Sequence, residues 1–368
     1  VSAFFVAVVG CRQLCKSLAM SIRWLLLGLQ CGLLVALSAC RGGSPEALLE
    51  DYAQRIARIT EQPYQALPLP PGTPYPRHRE RRRDVPEVRA RLWDLGDFRR
   101  CDLSQLIAER NSIMGRYWPA SQRLDYELRF AHRLGRCQRW LQQNAEDEDA
   151  REWRAEVDSV LAAKGDTLAA VWWAVTYDGP EFERHFSVSA SLLQRTDSPP
   201  LAALHQLAAL GKHLATPPDG LDRAALEAAL HALRDRYGGA WQRSALALSA
   251  TLGATARQLA AADRQRLCPQ GRPTPEARIV ETVFYRIYAE RLQPYLAQIH
   301  QDGDAWLAAH AALLATTGTL PAALRDYRAR VLGRGAGSVW AELAAARQGH
   351  TEAWQSLLGD CGLMPSAG

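Results

Sequence analysis

Lysine, charge of one sign and long apolar runs are what this 368-residue chain has least of. Beyond residue 40 only Lys164 and Lys212 stand among 41 basic residues, a usage that reads as a GC-rich genome rather than as selection for Arg chemistry. With no Lys beside it, the glycine tract Gly333-Arg334-Gly335-Ala336-Gly337 does not read as a phosphate-binding loop, and it lacks the third glycine of a dinucleotide fold. His-Glu-x-x-His and Gly-x-Ser-x-Gly are missing too, which removes the usual metalloprotease and hydrolase signatures. No cofactor and no metal are therefore expected. With Arg12, Lys16 and Arg23 set aside, 41 basic residues face 39 acids, a net charge of +2. That balance gives no argument for nucleic acid as a partner.

One apolar run does exist, from Trp24 to Ala39, preceded by Met20-Ser21-Ile22-Arg23 and closed by Leu37-Ser38-Ala39-Cys40. It falls short of the roughly 20 apolar residues of a membrane span and has the build of a signal peptide. Its last four residues resemble the lipobox of bacterial lipoproteins. The resemblance implies that the Cys40 thiol receives a diacylglycerol, that residues 1–39 are cut away, and that the new amine takes a further fatty acid such as palmitate. Initiation is expected at Met20, since residues 1–19 fit this scheme badly. Arg41 stands where inner-membrane retention would place Asp, so the expected location is the periplasmic face of a Gram-negative outer membrane.

Three parts follow: a leader (1–39), an anchor with a short helix and a Pro-rich spacer (40–76), and a helical domain (77–368). Ser44-Pro45-Glu46 reads as a cap, a first-turn Pro and a first-turn acid, opening a helix to about Thr60. Pro63, Pro68, Pro70, Pro71, Pro74 and Pro76 then forbid helix and favour a stiff extended segment that holds the domain off the bilayer. Arg77 to Arg83 carries five Arg and one His against one Glu. It is either a solvated loop or a contact for anionic head groups or peptidoglycan carboxylates. Val88 to Phe98 alternates enough for one short strand. Helices are expected at about 148–176, 199–215, 219–237, 239–266, 274–300, 303–316, 321–332 and 338–358, with Gly238-Gly239 and Asp302-Gly303 among the breaks. The fold class is thus all-α, a multi-helical array or bundle of antiparallel hairpins.

Cys101, Cys137, Cys268 and Cys361 form an even set that suits two disulfides in an oxidising compartment, with three possible pairings. Helices expected at 101–115 and 119–141 would form an antiparallel hairpin that brings Cys101 beside Cys137, leaving Cys268 for Cys361.

The facing arms of this hairpin hold the densest polar cluster, Glu109-Arg110-Asn111-Ser112 and Ser121 to Glu127. With the lipobox, Cys101-Asp102-Leu103, Cys137, Val283-Phe284-Tyr285 and Gln293-Pro294-Tyr295, it resembles a family of proteobacterial lipoproteins catalogued as domain of unknown function 3080. The resemblance implies a helical envelope lipoprotein and supplies no activity. Arg110, Asn111, Arg123 and Glu127 are the candidate binding residues, Arg being suited to bidentate carboxylate recognition. The alternative is a network that only fixes the hairpin's register. Glu181, Glu183 and His185 offer metal-ligand side chains, but their alternate spacing suits a strand rather than one helix face. Glu146, Asp147, Glu148 and Asp149 form a helix-opening acidic run. Adjacent Trp172 and Trp173 cannot face one core, so either one edges a groove or both pack against different neighbours.

The expected function is an outer-membrane-anchored interaction or structural module whose partner is an envelope protein or peptidoglycan. A peptidoglycan-acting enzyme and a small-ligand carrier with an apolar pocket are the alternatives.

Overall fold

Ser44 starts the first helix by accepting the Ala47 N–H on its side chain at 3.2 Å, while Pro45 fills the first helical position and Glu46 the first turn. The same device recurs along the chain. Asp222, Thr274 and Ser338 each take the N–H of the residue three further on, opening three more helices. The computed structural model describes residues 43–86, 101–144 and 148–364, and every regular element there is helical. The lipobox with Cys40, the strand expected at 88–98, and Glu146 with Asp147 lie outside the described residues.

In chain order the helices are α1 (Pro45–Ile59), α2 (His78–Arg81), α3 (Ser104–Asn111), α4 (Ala120–Asn144), α5 (Glu148–Val175), α6 (Pro180–His185), α7 (Leu201–Lys212), α8 (Arg223–Ala232), α9 (Tyr237–Ala260), α10 (Arg264–Leu267), α11 (Pro275–Val283), α12 (Gln293–Leu314), α13 (Ala322–Tyr327) and α14 (Val339–Asp360). A π-helical stretch, Phe284–Leu292, joins α11 to α12, and a second, Arg328–Leu332, follows α13.

Helix α9 runs through the middle of the main core, against α14, α1 and α12. It gets there through glycine. A Cβ on Gly239 would lie 2.0 Å from the Ser187 carbonyl oxygen, and one on Gly303 of α12 would lie 2.2 Å from Nε1 of Trp241. Trp241 is fully buried on that bare patch and donates its indole N–H to the Ile299 carbonyl at 3.0 Å. These glycines were expected to break helices, and they do not: Gly238 and Gly239 sit in the first turn of α9, and α12 runs straight through Gly303. The chain turns two positions before Gly238, at Arg236, whose φ is +65°.

Trp172 and Trp173 are both fully buried and face different neighbours, donating to the Thr316 hydroxyl and to the Arg81 carbonyl. The proline-rich segment lies on the body rather than standing off from it. Gln242 brackets the Thr73 backbone, accepting its N–H and donating to its carbonyl, and Tyr75 donates to the Tyr177 carbonyl at 2.6 Å. The basic cluster behind it is split. Arg81 is only 1% exposed and pairs with Glu183 at 2.5 Å and Asp178 at 3.4 Å, while Arg83 stacks over Trp173 and donates to the Thr317 carbonyl. Arg77, Arg79 and Arg82 remain exposed.

Among the described residues two disulfides close the fold, Cys101–Cys137 and Cys268–Cys361, each with Cα atoms 5.1 Å apart. In the chain-entropy treatment, loops of this length contribute about 4 and about 5 kcal/mol. The first bond belongs to a separate small core built from Leu103, Leu106, Phe130, Leu134 and Val157. Helix α3 is shorter than the expected 101–115, and the main partner of α4 is α5.

Three histidines are folded into the core. His185 Nε2 accepts the Trp306 indole N–H at 3.0 Å, and His310 Nδ1 lies 2.8 Å from the Tyr177 hydroxyl. Trp354 donates to the Tyr52 oxygen, which leaves the Tyr52 proton for His350 Nε2, 2.5 Å away. Burial holds His350 down to about 4, and burial with His185 nearby holds His310 well below its ordinary range. In the unfolded chain both titrate near 6.5, so below that pH the unfolded chain binds protons that the fold refuses. Stability is therefore full above about pH 6.5 and falls as pH drops toward 4, by up to about 1.4 kcal/mol per pH unit for each histidine. Urea melts across this range are expected to give a shallower fall for His350→Gln than for the parent chain; equal slopes would refute the assignment.

Candidate functional site

The expected cluster on α3 and α4 is brought together only in part. Glu127 points into the small core, 2% exposed, and meets Lys164 Nζ of α5 at 2.8 Å. Lys164 in turn lies over the rings of Phe130, at 4.5 Å, and Tyr126, at 5.3 Å. Arg123 stands one helical turn before Glu127, with Nε 3.9 Å from Oε1. Arg110 donates to the Gly115 carbonyl at 2.6 Å and so spans the turn after α3, while Asn111 is exposed. Burial first, and the Glu127 charge second, raise the Tyr126 pKa; Arg110 and Arg123 oppose both, which places the two guanidinium groups near one phenol. Glu127 and Arg110 are thus committed to internal partners.

Lys164 is the residue that sequence reasoning missed. A signal was present: it is one of two lysines after residue 40, in the apolar half of a helix rich in alanine. What could not be read was its partner 37 positions earlier.

Beyond α3 the chain makes a tight 3-10 turn, Met114–Tyr117. The Ser112 hydroxyl donates to the Glu109 carbonyl at 2.7 Å and accepts the Gly115 N–H at 3.0 Å. Gly115 is required here, because a Cβ would lie 2.4 Å from the Arg110 carbonyl oxygen. With Gly115 turned in, Ile113, Met114 and Tyr117 are turned out, at 78%, 73% and 81% exposure.

A second region lies where α14 faces the π-helical stretch and the start of α12. A groove of about 720 Å³ runs between them, lined by Tyr288, Gln293, Leu296, Arg347, Gln348 and Thr351, among others. Tyr288 packs against His350 with ring centres 4.8 Å apart and planes tilted by 52°, so the Tyr52–His350–Trp354 chain lies beneath the groove. The short motifs Val283-Phe284-Tyr285 and Gln293-Pro294-Tyr295 bracket the π-helical stretch that forms its wall. Further grooves of about 570 Å³, along α4 and Thr216 to Pro218, and about 220 Å³, between α1 and the proline-rich segment, are likewise open to solvent.

Glu181, Glu183 and His185 do not converge. They lie on α6, a short helix whose first turn Pro180 sets, where alternate positions do not share one face. Glu181 pairs with Arg234, Glu183 with Arg81, and His185 with Trp306. Among the described residues no group of three His, Cys, Asp or Glu could hold a metal ion, and no helix is long and apolar enough to cross a membrane.

Fold and site together define an all-helical array with two cross-links, a stapled hairpin carrying an apolar tip, and a polar groove at a π-helical turn. The chain belongs to the family described as Protein of unknown function (DUF3080), whose sequence model matches residues 49–365. The match runs from α1 to past the end of α14 and takes in both disulfides, the hairpin and the groove. No curated protein and no solved structure matches the chain.

The Glu127–Lys164 pair makes a checkable demand. Removing one partner leaves the other buried and uncompensated, at a cost of about 3–5 kcal/mol, whereas two apolar residues of similar size restore most of the loss. Chemical denaturation is expected to find Glu127→Leu and Lys164→Met each strongly destabilised and the double variant close to the parent. Additive losses would show that the two charges act independently.

Proposed function

We propose that the chain is the periplasmic body of a lipid-anchored protein of the Gram-negative outer membrane, acting as an interaction or structural module of the cell envelope. The observation that carries this reading is the closure of all four cysteines after Cys40 into two pairs. Such bonds persist in an oxidising compartment and are rare where thiols are kept reduced. The lipobox ending at Cys40 supports the same address, and Arg41 supports the outer over the inner membrane. The groove beside α14 is the surface through which a module of this kind would engage an envelope protein or peptidoglycan.

Cells fed a clickable fatty acid test the address. The isolated protein is expected to carry the label and to have an intact mass that starts at Cys40, with four cysteines blocked to alkylation until reduction. A labelled Cys40→Ser variant, or a mature protein that keeps residues ahead of Cys40, would refute the lipid anchor.

A further inference from the structure

Ile113, Met114 and Tyr117 are the three most exposed large apolar side chains of the described residues, and they fall within five positions. Their exposure is built in. The Ser112, Gly115 and Arg110 hydrogen bonds fold the turn back on α3, Trp118 packs against Tyr126 at its base, and the Cys101–Cys137 bond ties the other end of α3 to α4. The three side chains are held outward before any partner arrives.

We propose that this turn is a lipid-contacting tip that seats on an anionic phospholipid surface. The inference rests on the envelope reading only for the presence of a bilayer nearby, and not on acylation of Cys40. Charge selects the surface. From Ser104 to Arg123 the chain holds Arg110, Arg116 and Arg123 against one acid, Glu109, and the next two acids are paired, Asp125 with Arg129 and Glu127 with Lys164. A short apolar wedge with a basic rim is the composition that lies at the boundary of head groups and acyl chains, and a phenol such as Tyr117 suits that boundary because one end is apolar and the other wet. Area selects it as well. A stable protein complex needs about 800 Å² on each partner, whereas here a single turn stands out with Asn111, Ser112 and Arg116 exposed around it. A bilayer closes around so small a wedge from every side.

The test uses the full chain, with a fluorophore on Met114→Cys, labelled without reduction so that both disulfides stay closed, and a control label on Glu352→Cys of α14. Vesicles of brominated phosphatidylcholine with and without phosphatidylglycerol are the probe. Quenching is expected at position 114 and not at 352. It should be stronger with phosphatidylglycerol, and Arg116→Gln should weaken the tip's association about fivefold, as one basic residue beside an anionic surface contributes. A label at 114 as unquenched as at 352 would overturn the proposal and leave the tip for a protein partner. Equal quenching in both vesicles would overturn the anionic preference. Sedimentation with vesicles of a variant carrying Ile113→Ser, Met114→Ser and Tyr117→Ser reports the acyl anchor alone, so failure of the anchor and failure of the tip are separate results.

Discussion

The seat of Trp241 on the bare backbone of α12 at Gly303 is the contact on which the main body depends. An indole can be buried there only if it loses no hydrogen bond, and the Ile299 carbonyl one turn earlier supplies it. With α12 drawn in, Trp306 comes within 5.1 Å of the Trp241 ring and reaches His185 on α6. His185 and His310 then share one aromatic chamber with Tyr177, and Tyr177 receives Tyr75 from the proline-rich segment. A Cβ at Gly303 would push on the whole series, because interiors packed at this density transmit a displacement rather than absorb it.

The same contact explains where the sequence could be read and where it misled. Helix starts were legible, because Ser44, Thr274 and Ser338 act through their own side chains on backbone three residues away. Cysteine pairing was legible because only antiparallel arms bring Cys101 to Cys137. Glycine was misread. At Gly239 and Gly303 what matters is the missing side chain, which admits a distant neighbour, and no local rule distinguishes that use from a chain break. Arg81 was hidden for a related reason. Five arginines in seven residues look like a solvated face, yet Asp178 and Glu183, about a hundred positions away, take one of them into the interior. The π-helical stretch Phe284–Leu292 has no periodic signature of its own, so the groove it shapes was not visible in the sequence.

At the hairpin the polar residues singled out in the sequence serve internal contacts. Arg110 and Arg123 both stand near Tyr126, while Glu127 faces the protein. Arg110 closes a turn, and Glu127 meets a lysine whose own burial would be untenable without it. The polar cluster is the support, and the surface it supports is apolar.

That inversion bears on how the module would sit at a membrane. On the proposed reading, an acyl chain at Cys40 would fix one end of the body but leave its orientation free, because a lipid anchor resists withdrawal and not rotation. A second contact, even a weak one, removes much of that freedom when it is rigidly joined to the body. The turn after α3 has this rigidity, since α3 is tied to α4 by the Cys101–Cys137 bond and α4 to α5 by Glu127 and Lys164. On the proposed reading, the hairpin would set which face of the body looks into the periplasm, and the groove between α14 and the π-helical stretch would be presented as a consequence of that orientation.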